Sequence, residues 1–361
     1  MAIRVAQIAT GNAGALALRH VLEDPRMELV AVWVSSDAKA GRDAGELAGL
    51  GVTTGVTATT SMDEVVAARP DCAIYCAMSD NRPVEAARDI RTLLAAGIDV
   101  VGTAPTPLIN PAHGVPESAR AKLEAAATEG GSTLYVTGVD PGFANDLLPL
   151  AVTGTCREVR QVVCTEFSDY ATYDSTESMV DVMGFGIPMD TTPLLFLPGV
   201  LTAGWGASIH LLAEGLGVEV DEITEHVERE PATETYEVAA CTIAEGTQAG
   251  FRFRITGMVR GEPVVVVEHV TRTRDDMRPD WPRAVQEGHS YRVVVDGEPS
   301  YQLDLAAQSA HGDHNYSAIL AGVGRALNAV PAVVAAEPGL LTTLDLPLTG
   351  APAVVGTPAG T

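Results

Sequence analysis

In the stretch "EFSDYATYD", Glu166, Tyr170 and Tyr173 are the candidates to move a proton. A tyrosine can donate a hydrogen bond to a carbonyl oxygen, and a proton where its pKa is lowered. The same rings could instead sit in a core with wet hydroxyls. Strand alternation does not fix the face that Glu166 occupies. Met183, Phe185 and Leu194 to Leu197 are candidates for an apolar wall. His210, in "GASIHLLAEGLG", lies on an apolar helix face and reads as core or pocket wall. "SAHGDHN" gathers His311, Asp313 and His314 in one short loop. Without a fourth ligand they make a poor metal site, so no metal is expected and Asp313 reads as a helix cap. Asp140 also reads as a cap, with Asp146 one turn further on.

A second kind of chemistry is written in "IATGNAG" near the start. An apolar run from Ile3 to Ala9 turns through Thr10, Gly11, Asn12, Ala13 and Gly14 into the helix-forming run Ala15 to Leu22. The dinucleotide fingerprint G-x-G-x-x-G here reads A-x-G-x-x-G, with Ala9 in the first glycine place. Gly11 and Gly14 would bring a helix N-terminus up to a pyrophosphate. A purely structural strand-to-helix turn is the competing interpretation. An NAD site usually carries an acid at the end of the second strand. Here Ser35 and Ser36 stand there, followed by Lys39 and Arg42, which suits the 2′-phosphate of NADP, while Asp37 keeps NAD open. Ala77 and Met78, after "DCAIYCA", and Thr103, after "DVVGT", complete the cofactor candidates.

The elements that must hold these residues alternate over the first 140 positions. Strand signals at "IRVAQIA", "ELVAVWVSS", "DCAIYCA", "DVVGT" and "TLYVTG" are separated by helices. Ser61 and Glu64 stand in capping-box register, and further helices run from Arg82 to Gly97 and from Pro116 to about Gly130. Near-continuous apolar strands between helices predict a parallel sheet covered on both faces. Beyond residue 155 the pattern changes. A long strand over "REVRQVVCTEFSDYATYD", then strands at 233–244, 249–260, 263–274, 289–296 and 299–306, predict a mainly antiparallel sheet. Turns are expected at "VRGEP" and "VDGEP", and helices near 175–184 and 205–216. A last helix from Tyr316 to Ala329 should stop at Pro331, and the tail beyond Glu337 should lie along the surface. The expected class is α/β: an N-terminal Rossmann domain (1–140), a C-terminal α+β domain for substrate and dimerisation (141–314), and a helix and tail (315–361) packing back on the first.

Composition narrows the partners. The chain has 361 residues, 47 acidic against 23 basic, for a net charge of −24. Such a field repels a phosphate backbone, so no nucleic-acid partner is expected. No uncharged apolar run reaches the roughly 20 residues needed to span a bilayer, so no membrane partner is expected. No leader is legible, and the five cysteines form no C-x-x-C pair, as for a reduced, cytoplasmic protein.

"TGNAG", "VSSDAKAGRDAGEL", "GVDPGFANDLLPL" (138–150), "YDSTESMVDVMGFG" (173–186) and "GRALNAVPAVVAAEPGLLTTLDLP" are spread over nearly the full length. Together they resemble the dihydrodipicolinate-reductase-like superfamily, and more narrowly its 2,4-diaminopentanoate dehydrogenase and native amine dehydrogenase group. The resemblance implies a Rossmann domain, a dimer-forming second domain and a substrate cleft between the two. It also implies NAD(P)H reduction of a carbonyl-derived C=N bond or of C=O in a small-molecule substrate. Tyr170 and Tyr173 would line the pocket, with Thr106, Phe143, Met183 and His210 as further lining.

The chain departs from that group in one place. Its characterised amine dehydrogenases carry a glutamate after the strand that corresponds to "VVGT". Here Val100 to Pro111 reads "VVGTAPTPLINP", without a carboxylate. Reductive amination needs a base near the reacting carbon. Three readings follow: an amine dehydrogenase in which Glu166 or another group replaces that base, an ammonia-independent reductase of ketones, aldehydes or preformed imines, and a non-catalytic nucleotide-binding protein.

Overall fold

A computed structural model describes residues 2–79 and 82–351. The chain divides into two compact units, Met1–Gly138 with Ile319–Thr361, and Val139–Ala318. In the first, β1 (Ile3–Ile8) leads into α1 (Asn12–Glu23), followed by β2 (Met27–Trp33), α2 (Ala44–Leu47), β3 (Ala58–Thr59) and α3 (Met62–Ala67). Then come β4 (Cys72–Tyr75), α4 (Pro83–Ala95), β5 (Asp99–Gly102), α5 (Pro111–Gly114), α6 (Glu117–Gly130) and β6 (Thr133–Val136). Ser61 caps α3 as its sequence signals, accepting from the Glu64 amide at 3.3 Å.

The second unit holds α7 (Leu147–Thr153), β7 (Glu158–Asp169), α8 (Val200–Gly215), β8 (Glu222–Pro231), β9 (Tyr236–Glu237), β10 (Thr242–Ile243) and β11 (Gln248–Val259). β12 (Glu262–Arg272), β13 (His289–Glu298) and β14 (Tyr301–Leu305) complete it. The chain then forms α9 (His314–Val334) and β15 (Gly339–Leu341).

The first sheet has the order β15-β6-β5-β4-β1-β2-β3, all its pairs parallel, and the four residues of β4 are fully buried. Continuous apolar strands and a doubly covered sheet are the same fact seen twice. The second sheet has the order β14-β13-β7-β12-β11-β8. It is antiparallel except for β12 against β7. Arg260 and Gly261, both at positive φ, make the tight β11–β12 turn. The α/β class, with a Rossmann-like parallel sheet and a mainly antiparallel second one, is therefore present.

Several expectations need correction. The expected strand at 233–244 is only the small β9–β10 pair, while β8, which was not expected, forms an edge. Its sequence, EITEHVEREP, is too acidic to show the alternation of a buried strand, and an edge tolerates that. The strand at the start of the second unit stops at Asp169, short of both tyrosines. The segment near 175–184 forms a π-helical turn, Glu177–Val182, and the helix expected from 205 begins at Val200. The "VDGEP" turn falls beyond Glu298, because Gly297 lies within β13 at a register shift. α9 continues through Pro331 to Val334, since the buried faces of Leu327, Val330 and Val333 hold it against the β1 and β4 core. By length and composition α9 could cross a membrane, but it is a core helix here. Part of the tail is not a surface strap: Gly339–Leu341 pairs with Thr133–Tyr135 and extends the first sheet.

Candidate functional site

The cofactor candidates belong to the first unit. β1 ends beneath a turn in which Ala9 adopts φ +72°, a left-handed conformation in the position where the fingerprint has glycine. A Cβ on Gly14 would lie 2.3 Å from the Ala9 carbonyl oxygen, so only glycine lets α1 approach the strand this closely. Gly11, by contrast, has open space around it. Among the described residues no side chain caps α1, and its first-turn amides have no acceptor within the helix. Donors at the positive end of a 12-residue helix, with room above Gly11, fit a pyrophosphate.

The flanking cations are placed unequally. Lys39 Nζ donates to the Thr10 carbonyl at 2.7 Å and lies 3.3 Å from its hydroxyl, so its charge stands at the turn. Arg42 instead pairs with Glu46 at 2.8 Å on the surface. Ser35 and Ser36 are exposed just beyond β2. Ala77 is buried and Met78 exposed after β4. The Thr103 amide bonds the Tyr75 carbonyl at 3.0 Å, and Thr106 opens a short 3₁₀ turn. A cofactor dinucleotide would be held by the Thr10–Gly14 turn, with Lys39 beside it.

In the second unit, register builds a polar row. β7 lies between β12 and β13, with Glu166 opposite His269 on one side and Tyr291 on the other, and Ser168 opposite His289. Two residues away along each strand, toward the same end of the sheet, Cys164, Val267 and Val293 belong to the apolar core. By strand alternation the polar row therefore continues the core face. Glu166, His269, His289 and Tyr291 are each at most 6% exposed.

These groups satisfy one another. His269 Nδ1 meets Glu166 Oε2 at 2.9 Å, and its Nε2 meets Asp140 Oδ1 at 3.2 Å. His289 Nε2 lies 3.0 Å from Glu166 Oε1 and 2.9 Å from the Tyr291 hydroxyl, and its Nδ1 lies 3.2 Å from Ser168 Oγ. Trp205 and Asn145 donate to Asp140 at 2.8 and 3.0 Å. Phe253 stacks on the His269 ring at 4.5 Å between centroids.

Burial opposes charge on His269, but the carboxylates of Asp140 and Glu166 outweigh it and push its pKa up to about 10. Burial likewise opposes charge on Glu166, yet the two imidazoles hold its carboxyl well below the ordinary range. His269 is thus an imidazolium clamped between two anions. Burial, followed by the charge of Glu166, pushes the Tyr291 phenol well up.

Asp140, Glu166 and His269 are also close enough to surround a metal ion. His269 spends one ring nitrogen on each carboxylate, however, so ligation would mean breaking the clamp. Asp140 is not the cap it was expected to be. Asp146 caps α7, while Asp140 holds His269, Trp205 and Asn145.

Tyr170 and Tyr173 follow β7 with their rings edge to face at 5.5 Å. Burial, then the charge of Glu166, raises the Tyr170 pKa well above its usual value. Phe143 and Met183 are half-buried, Met183 against the core of this unit. His210 is five residues along α8 from Trp205, about 140° round the helix from the residue that touches Asp140. Asp313 caps the start of α9, accepting from Tyr316 at 3.0 Å, and His314 bonds the Asp169 carbonyl. His269 and His289 were not singled out in the sequence. The available signal was a charged or polar residue at an inward position of otherwise apolar strands, in "VVVVEHV" and "HSYRVVV".

The family described as 2,4-diaminopentanoate dehydrogenase C-terminal domain matches residues 143–356. An amine dehydrogenase of Streptomyces virginiae is 41% identical over 343 residues, covering 94% of each chain. A 2,4-diaminopentanoate dehydrogenase of Acetoanaerobium sticklandii is 24% identical over 293 residues, 80% of this chain and 77% of that one. In fold, an amine dehydrogenase from Mycobacterium smegmatis superposes with a TM-score of 0.78 at 21% identity, covering 97% of both chains. Glycine turn, two-sheet plan and these relationships agree: the chain belongs to the 2,4-diaminopentanoate dehydrogenase and amine dehydrogenase family of NAD(P)-dependent oxidoreductases.

Proposed function

We propose that the chain is an NADP-preferring amine dehydrogenase acting on a small, partly apolar ketone or aldehyde. The reaction balances as carbonyl compound, ammonia, NADPH and one proton giving amine, NADP+ and water. The reduced cofactor supplies the hydride.

The observation that carries this reading is the charge of the buried row. Two carboxylates, Asp140 and Glu166, converge on the single buried imidazole of His269. Fixed negative charge away from water favours a cationic iminium over the neutral carbonyl from which it forms. Glu166 acts as counter-ion, not as base, because both its oxygens are engaged and its carboxyl is held ionised. Tyr170, its pKa raised by burial, stays a phenol and donates a hydrogen bond to the carbonyl oxygen. Ser35 and Ser36 beyond β2, with the Lys39 charge at the turn, support the NADP preference.

A second reading, ammonia-independent reduction of a ketone, aldehyde or preformed imine, is favoured by the absence of a carboxylate between Val100 and Pro111. Incubation with NADP+ and a panel of primary alkylamines separates the two. Amine dehydrogenation predicts NADPH formation with release of ammonium and the matching carbonyl compound. Secondary alcohols serving as substrates while every amine fails would select the second reading.

A further inference from the structure

The turn that fits the pyrophosphate carries two local costs. Ala9 stands at φ +72°, which L-residues other than glycine resist. Directly below it in β1, Gln7 is fully buried and its Oε1 has no hydrogen-bond partner among the described residues. A buried acceptor without a donor is rare enough to require a reason. The other end of the same amide gives one: Gln7 Nε2 donates to the Ala9 carbonyl at 2.9 Å and reaches the Ile8 carbonyl at 3.3 Å.

We propose that Gln7 is a positioning residue for the dinucleotide, its side-chain amide locking the Ala9 carbonyl inward so that alanine can serve where the fingerprint has glycine. The carbonyl oxygen lies against Gly14, close to where a Cβ on that residue would be, and Gln7 Nε2 is 3.4 Å from the same point. Turned inward, the partial negative charge of that oxygen is kept off the face where the first-turn amides of α1 and Lys39 await phosphate. Glycine would take this backbone shape unaided; alanine is held in it. Gln7 is fully buried and touches the turn, so it acts through Ala9.

A double-mutant cycle tests this, with NADPH affinity read by the fluorescence of the bound nicotinamide. Gln7→Met keeps length and apolar bulk but removes the donor. It is expected to weaken NADPH binding about fivefold, the worth of one such hydrogen bond. The KM for NADPH should rise in step, while kcat at saturating cofactor and the KM for the carbonyl substrate stay put. In the Ala9→Gly background the same change should cost less than about twofold, because the two residues are coupled. Equal losses in both backgrounds, or no loss in either, would overturn the proposal. Should Gln7→Met alone not fold, the double variant is expected to fold and bind NADPH as Ala9→Gly does. A double variant that folds no better, or folds but binds NADPH more weakly than Ala9→Gly, would also overturn it.

Discussion

The imidazole of His269 bridges two carboxylates, Glu166 through Nδ1 at 2.9 Å and Asp140 through Nε2 at 3.2 Å. One ring thereby joins β7, a central strand of the second sheet, to the segment that precedes α7. The consequences follow from charges that water does not reach.

Glu166→Gln keeps the shape and removes the central charge. His269 and His289 then lose their shared anion inside the protein. Stripping one partner from a buried ion pair costs about 3–5 kcal/mol. Urea unfolding followed by circular dichroism should show a loss of that size, and Glu166→Leu should lose at least as much. A change under about 1 kcal/mol, the range of exposed pairs, would mean that the row is solvated.

The same row sets a pH dependence. The His269 pKa is raised from 6.5 in the unfolded chain to about 10, so its contribution is complete below 6.5 and is lost as pH rises through 10. The carboxyl of Glu166 is lowered from 4.5, so its contribution is present above 4.5 and is lost as pH falls below that value. Stability from the row is greatest between about pH 4.5 and 6.5 and declines on the alkaline side. Unfolding midpoints between pH 6 and 10 should fall steadily, and His269→Asn should flatten that limb.

Tyr170→Phe removes one hydroxyl and keeps the ring against Tyr173. In the proposed reaction Tyr170 hydrogen-bonds the carbonyl oxygen, so kcat should fall by about tenfold, the upper worth of one such bond. KM and thermal stability should change little. A variant that works at the full rate would pass the role to Tyr173.

The proposed NADP preference rests on the cation at the turn. Lys39→Ala should weaken NADPH binding by about tenfold and NADH binding by less, since only NADPH carries the additional phosphate. Equal losses would confine Lys39 to the turn itself, where it already bonds the Thr10 carbonyl.

Much of the fold is legible because the first unit follows local rules. Continuous apolar strands such as Cys72–Tyr75, a capping serine at Ser61 and the "TGNAG" turn each speak for themselves over a few residues. α9 ran through Pro331 because the buried core on both sides outweighed a local breaker. Tyr170, Tyr173 and Glu166 could be named from type and spacing, but the company Glu166 keeps could not. His269 lies 103 residues beyond it and His289 20 beyond that, and only the pairing of β7 with β12 and β13 brings the three together. Strand register over such separations has no local signature. Gln7 is hidden for a different reason, since one polar residue in a buried strand gives no sign of which carbonyl it supports.

Whether ammonia is a substrate can be read directly from the product. NADPH oxidation should be followed at 340 nm with a short-chain alkyl ketone, at pH 9, with and without high ammonium at matched ionic strength. An amine dehydrogenase gives turnover that requires ammonium and saturates with it, yielding the primary amine. Turnover at the same rate without ammonium, yielding the alcohol, would contradict the proposed function.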